Sequence, residues 1–178
     1  EFGYLKNLLE AGEIKFTEPS EFNDPFDCCP THLHEAPEDL PHAVGSSVNK
    51  AMQSAISQIC GVACFSIYPD SMLMWSHYAD QHQGVCVGIN SEILIKKILS
   101  NSKGKPLHDK PEKVIYTENR PRHDDPKFYL KKSEEWCCEG EYRLVSFRKK
   151  GELEWGPGVW KINASSIIEI IIGAKMSP

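Results

Sequence analysis

The chain has 178 residues, 40% of them hydrophobic and 25% charged, with a formal net charge of −5, which suits one globular domain with a single substantial core. The acidic balance and the lack of a long basic run exclude a general nucleic-acid binder that works by phosphate neutralisation. No stretch reads as a signal peptide or spanning helix, and seven cysteines, with adjacent pairs at Cys28-Cys29 and Cys137-Cys138, fit no disulfide spacing, so reduced thiols, a cytoplasmic setting and no membrane partner are expected.

In chain order, Tyr4, Leu5, Leu8 and Leu9 share one face of a helix that ends at Gly12, in the place of a C′ residue. The chain opens inside this helix and closes on Met176-Ser177-Pro178, where Ser reads as an N-cap and Pro as the first helical position. We therefore expect residues 1–178 to be one domain that lacks an upstream strand and a C-terminal helix. Glu13 to Phe16 alternates as a short strand, and Pro19 to Pro30 is a turn-rich loop whose Phe22 and Phe26 plug it into the core. Ser46 or Ser47 caps a helix to about Gln58, and Cys60 to Ile67 is a buried strand. Pro69-Asp70-Ser71 caps a helix from Met72 to Asp80. Gly84 to Ile89 is a strand, Asn90 caps a helix through Leu99, and Lys113 to Thr117 is a strand. Asp125-Pro126 starts a helix ending near Trp136, Glu139 to Arg148 is a strand, Trp155-Gly156-Pro157-Gly158 is a turn, and Ile167 to Ile172 is a buried β-branched strand. The expected fold is α+β, mostly antiparallel, as one bent sheet or a split sandwich with flanking helices and a cleft between the Glu139 to Arg143 strand and the Cys64 to Tyr78 segment.

The most informative stretch is Trp136-Cys137-Cys138-Glu139-Gly140-Glu141-Tyr142-Arg143. With a period of two, Glu139, Glu141 and Arg143 share one face, either as the acid and anion-holding groups of a pocket or as ion pairs on an exposed edge strand. Four blocks, Asn23-Asp24-Pro25-Phe26-Asp27, Cys64-Phe65-Ser66, Met74-Trp75-Ser76-His77-Tyr78-Ala79, and Lys132 with Trp136-x-x-Glu139-x-Glu141-Tyr142-Arg143, resemble a bacterial domain-of-unknown-function family, number 2971. That resemblance implies no activity.

Glu139-x-Glu141 and Phe65-Ser66 are more distantly similar to the ADP-ribosyltransferase superfamily, in which a Glu-x-Glu motif supplies the catalytic acid and an aromatic-Ser strand lines the nicotinamide site. The resemblance implies an ADP-ribosyltransferase-like fold and an NAD-consuming transferase with NAD as substrate and no metal. Its acceptor would be a protein or a nucleic acid, and its setting that of a toxin or phage-defence effector. It gives Glu141 the stabilisation of positive charge on the ribose, Glu139 the activation of the acceptor, and Arg143 either a phosphate contact or the locking of Glu141. The superfamily's first catalytic residue would lie upstream of Glu1.

The remaining residues read two ways. Trp75, His77 and Tyr78 stack on a flat ring or pack as core; with Gln81 a turn after His77, they would present one polar and aromatic edge. His77 and His82, about 140° apart around a helix, make poor joint metal ligands, and Cys60 and Cys64 are accounted for as core thiols. Asn23 and Asp24 either hold the loop or reach a ligand, and Lys132 and Trp136 are further candidate ligand contacts. The basic loop Arg120-Pro121-Arg122-His123 with Lys127, Lys131 and Lys132 is a solvated face or a guide for an anionic substrate. A carboxylate-dependent nuclease and a non-catalytic ligand-binding module are the alternatives.

Overall fold

A computed structural model describes residues 2–31, 42–100, 109–148 and 157–177. It is a mixed α+β arrangement in which most strand pairs are antiparallel. Helix α1 (Phe2–Lys6) runs on into a wider turn over Asn7–Ala11 and stops at Gly12, whose φ of 60° is left-handed, a conformation cheap only for glycine. Strand β1 (Glu13–Phe16) follows. Helix α2 (His42–Ile59) begins before Ser46 and Ser47, so neither serine is its cap, and it leads into β2 (Cys60–Ser66). Helix α3 (Met72–Tyr78) starts where the Ser71 hydroxyl accepts the Met74 N–H, and α4 (Ser91–Ser100) where the Asn90 side-chain Oδ1 accepts the N–H groups of Glu92 and Ile93, as expected of these N-caps.

Between the helices runs β3 (Val85–Ile89), followed after α4 by β4 (Glu112–Lys113), β5 (Ile115–Thr117), β6 (Lys131–Ser133), β7 (Glu141–Phe147), β8 (Gly158–Lys161) and β9 (Ile167–Ile172). The expected Lys113 to Thr117 strand is split by the buried Val114. The helix expected from Asp125-Pro126 to Trp136 is instead a 3-10 turn (Phe128–Leu130), strand β6 in parallel with β5, and a second 3-10 turn (Glu134–Glu139). The reason is β5, which captures the backbone of Lys131 to Ser133 as a ladder and outweighs local propensity. Part of the expected Trp155 to Gly158 turn, and the Pro178 of the expected terminal helix start, lie outside the described residues.

The organising sheet is β2-β7-β4, with β7 at its centre. Its register sets Val62 opposite Val145, Cys64 opposite Arg143 and Ser66 opposite Glu141, so these pairs share one face of the sheet. On the opposite face Ala63 and Leu144 join Phe16, Leu94, Ile95, Ile98, Trp160 and Ile162 in one core, with Trp160 stacked on Phe16 at 4.0 Å. On the first face Val62 and Val145 pack with Cys28, Ile56, Cys60, Tyr129 and Leu130 in a second core. That first face changes character along β7, apolar at Val145 and charged at Arg143 and Glu141, and the change of character makes the site. Burial expectations fail at β9 and at Phe26. Ile168, Ile170 and Ile172 of β9 are 66%, 46% and 65% exposed, because among the described residues β9 pairs only with β3 in a separate two-stranded ribbon. Phe26 is also exposed, lying under the Arg120 guanidinium rather than in the core.

Candidate active site

Glu139 is not part of the acid strand. It ends the second 3-10 turn, and Gly140, left-handed at φ 52°, then redirects the chain into β7. A side chain at Gly140 would run into the Tyr68 ring, so glycine is required there by both conformation and space. The Ser66 hydroxyl at the end of β2 donates to the Glu139 carbonyl (2.6 Å) and accepts the Tyr68 N–H. The Tyr116 phenol oxygen accepts the Glu141 N–H at 2.9 Å. These bonds bring Glu139 and Glu141 to the same side of the sheet although only Glu141 is in the ladder.

Of the two readings of this face, the exposed edge strand with solvated ion pairs is excluded: the residues form a buried ion cluster. Arg143 is fully buried, and Asp27, Glu139, Glu141 and Lys132 are 3%, 3%, 4% and 6% exposed. Arg143 Nε and Nη2 donate to the two Glu141 oxygens (2.7 and 3.0 Å), Nη1 and Nη2 to the two Asp27 oxygens (2.8 and 2.6 Å), and Nη1 also to the Tyr129 carbonyl. The guanidinium's donors are thereby used within the protein. Arg143 thereby clamps Glu141. Lys132 Nζ lies 2.5 Å from Glu139 Oε2, 3.2 Å from Glu141 Oε2 and 3.4 Å from Asp27 Oδ2. The second Glu139 oxygen accepts the Tyr78 phenol proton at 2.5 Å.

The two glutamates are shifted in opposite directions. Burial pushes the Glu141 carboxyl up, but the Arg143 guanidinium and Lys132 ammonium outweigh it and bring the pKa down to about 2. At Glu139 burial prevails over the Lys132 and Tyr78 hydrogen bonds, and the pKa lies above its usual 4.5. Burial lowers Lys132, yet Glu141, Asp27 and Glu139 more than compensate and keep it a cation. Two carboxylates whose environments separate their pKa values are the arrangement that acid–base division of labour needs.

The cluster forms the floor of a cleft of about 530 Å³, a size suited to a small organic ligand. Phe22, Asn23, Phe65, Ser66, His77 and Tyr78 line it together with Lys132, Glu139 and Glu141. Trp75 is not among the lining residues: its indole N–H donates to the Pro69 carbonyl at 2.7 Å and its ring lies parallel to His82. Helix α3 stops at Tyr78, so Gln81 does not sit a helical turn beyond His77. Trp136 carries Lys132 over its ring at 5.0 Å and borders a smaller hollow with Asp24 and Arg120 on the far side of the cluster. Asp24 accepts the Phe26 N–H, a turn-holding role. Within the basic loop Arg120 donates to the Cys29 carbonyl, Arg122 pairs with Asp124 and Lys131 with Asp125.

Sequence reasoning missed two residues. Asp27 was passed over for Asn23 and Asp24, although an acid beside Cys28-Cys29-Pro30 enters an apolar run and needs a cation, and Arg143, beside Leu144 and Val145, is such a cation in an apolar strand. Cys64, read as core, is exposed and lines the cleft.

Residues 74–144 match a family described as protein of unknown function, DUF2971. The DUF2971 stretch runs from α3 into β7 and therefore contains Tyr78, Lys132, Glu139, Glu141 and Arg143, while Asn23 and Asp27 come from the loop before it. No curated protein and no solved structure matches the chain.

Proposed function

We propose that the cleft breaks the nicotinamide–ribose bond of NAD and transfers the ADP-ribosyl group, in the manner of the ADP-ribosyltransferases that act as toxins or phage-defence effectors. The observation that carries this reading is the pair of buried carboxylates on one cleft floor, Glu141 held ionised and Glu139 with a raised pKa. As the C–N bond breaks, its electron pair leaves with nicotinamide, which becomes neutral, and positive charge develops on the ribose. Glu141, fixed by Arg143 and unable to relax away, stabilises that charge. An acceptor, water or a nucleophile of a protein or nucleic acid, attacks the anomeric carbon, and its proton passes to Glu139. Phe65 and Tyr78 supply aromatic surface for the departing ring.

The test separates the two acids. Nicotinamide release and label transfer from NAD are followed for Glu139→Gln and Glu141→Gln; the expected result is loss of both activities in Glu141→Gln and a larger loss of transfer than of hydrolysis in Glu139→Gln. Equal behaviour of the two variants would remove the assignment. A second reading, a non-catalytic ligand-binding module, is favoured by the saturation of Glu141 with donors from Arg143 and Lys132, and NAD binding without turnover would select it. The nuclease reading is disfavoured because the Lys132 ammonium stands between the carboxylates where a divalent cation would have to bind.

A further inference from the structure

Among the described residues, two side chains reach the Glu139 carboxylate: buried Lys132 and half-exposed Tyr78. Tyr78 is 50% exposed, yet its hydroxyl is engaged on both sides, donating to Glu139 Oε1 at 2.5 Å and accepting from Asn23 Nδ2 at 3.0 Å. The three residues come from separate elements: α3, the Pro19 to Pro30 loop, and the turn before β7. An acceptor oxygen on one side and an amide donor on the other is the complement of a single alcohol hydroxyl, which both donates and accepts. The other Glu139 oxygen is held by buried Lys132, so the carboxylate stays in place whether or not Tyr78 does. Among the described residues the Tyr78 hydroxyl has Asn23 and Glu139 as its hydrogen-bond partners, the ring meets His77 edge-on at 6.3 Å, and the residue is half exposed.

We propose that Asn23 and Glu139 form a recognition site for a hydroxyl of a sugar-bearing ligand and that the Tyr78 phenol fills this site as a displaceable placeholder. The inference rests on the cleft being a ligand site, as in the function proposed above, and adds that the unliganded site is self-occupied. A ligand hydroxyl must displace the phenol before it reaches Glu139, and Tyr78 then swings off its two partners and leaves its ring as a wall of the cleft. Exchange of one hydroxyl for another conserves the hydrogen-bond count, so the buried carboxylate is never left bare. Tyr78 thus opposes binding, the reverse of what a simple ligand-contact residue would do.

The experiment is calorimetric titration with ADP-ribose, which carries the ribose hydroxyls and has no nicotinamide to lose. Tyr78→Phe keeps the ring and removes only the competing hydroxyl, so ADP-ribose should bind about tenfold more tightly than to the wild type, the effect of one charge-assisted hydrogen bond that no longer competes. In the Tyr78→Phe background, Asn23→Ala should reverse most of that gain, because Asn23 then donates to the ligand hydroxyl instead of to Tyr78. Unchanged or weaker binding by Tyr78→Phe, no effect of Asn23→Ala in that background, or no ADP-ribose binding by either protein would overturn the proposal. Tighter binding by Tyr78→Phe without NAD cleavage by the wild type would leave this inference intact and remove only the transferase reading.

Discussion

Replacing Lys132 with Met keeps the length of the side chain and removes the ammonium that sits 2.5 Å from Glu139, 3.2 Å from Glu141 and 3.4 Å from Asp27. The remaining cluster holds three carboxyl groups against one guanidinium. Removing one partner of a buried ion pair costs about 3–5 kcal/mol, chiefly because the other charge is left uncompensated. Here that cost depends on pH. Burial already raises Glu139, and Lys132 is among the groups that lower it, so in Lys132→Met the folded pKa of Glu139 moves further above the unfolded value of 4.5. Between the two values the folded state binds a proton that the unfolded state has lost, and stability falls as pH rises. The deficit relative to wild type should therefore sit near the low end of that range at pH 5 and increase toward pH 8, by no more than about 1.4 kcal/mol per pH unit for one proton. Urea denaturation followed by tryptophan fluorescence at several pH values measures it directly. A deficit below about 1 kcal/mol throughout, or one that shrinks with rising pH, would refute the account of the cluster.

Glu141 makes the opposite contribution. Its pKa is depressed from 4.5 to about 2, so it contributes stability fully present above pH 4.5 and lost as pH falls toward 2, about 3 kcal/mol in all; urea midpoints between pH 2 and 5 should show this acid limb, and Glu141→Gln should flatten it. Because Glu141 is clamped and buried, Glu141→Gln should also cost about 3 kcal/mol at neutral pH, read from the same denaturation curves, where an exposed strand residue would have cost almost nothing. All seven cysteines are free, with Cys137 exposed and Cys28 and Cys60 fully buried. Burial pushes the Cys60 thiol up to about 12. A thiol reagent should therefore label Cys137 in the native protein, spare Cys28 and Cys60 until urea is added, and then count seven; fewer than seven would reveal a disulfide.

Local signals were readable where they are covalent or conformational. Ser71 and Asn90 cap their helices, Gly12 ends the first one, and alternation along β7 puts Glu141 and Arg143 on one side, because each depends on a few neighbouring residues. What the sequence hid is burial. Alternation looks the same on an edge strand and on a central one, and only the pairing of β7 with both β2 and β4 makes Arg143 the most enclosed side chain of the cluster. The same blindness acted in reverse at Ile167 to Ile172, whose apolar run reads as core but is largely exposed because, among the described residues, β9 has only β3 for a neighbour. Glu139 came to the site by a route that alternation does not describe, a 3-10 turn closed by Gly140. Asp27 and Arg143 are 116 positions apart, so their pairing depends wholly on tertiary structure. The matched family stretch starts at residue 74, after the loop that supplies both Asn23 and Asp27.

Release of nicotinamide from NAD by the wild-type chain, with Glu141→Gln compared per molecule of folded protein, tests the central claim most directly. If Glu141 stabilises positive charge on the ribose as the bond breaks, nicotinamide appears with the wild type and its rate falls by roughly 10²–10³ in the variant, the effect of one lost electrostatic contact. Wild-type turnover in folded Glu141→Gln would contradict the account.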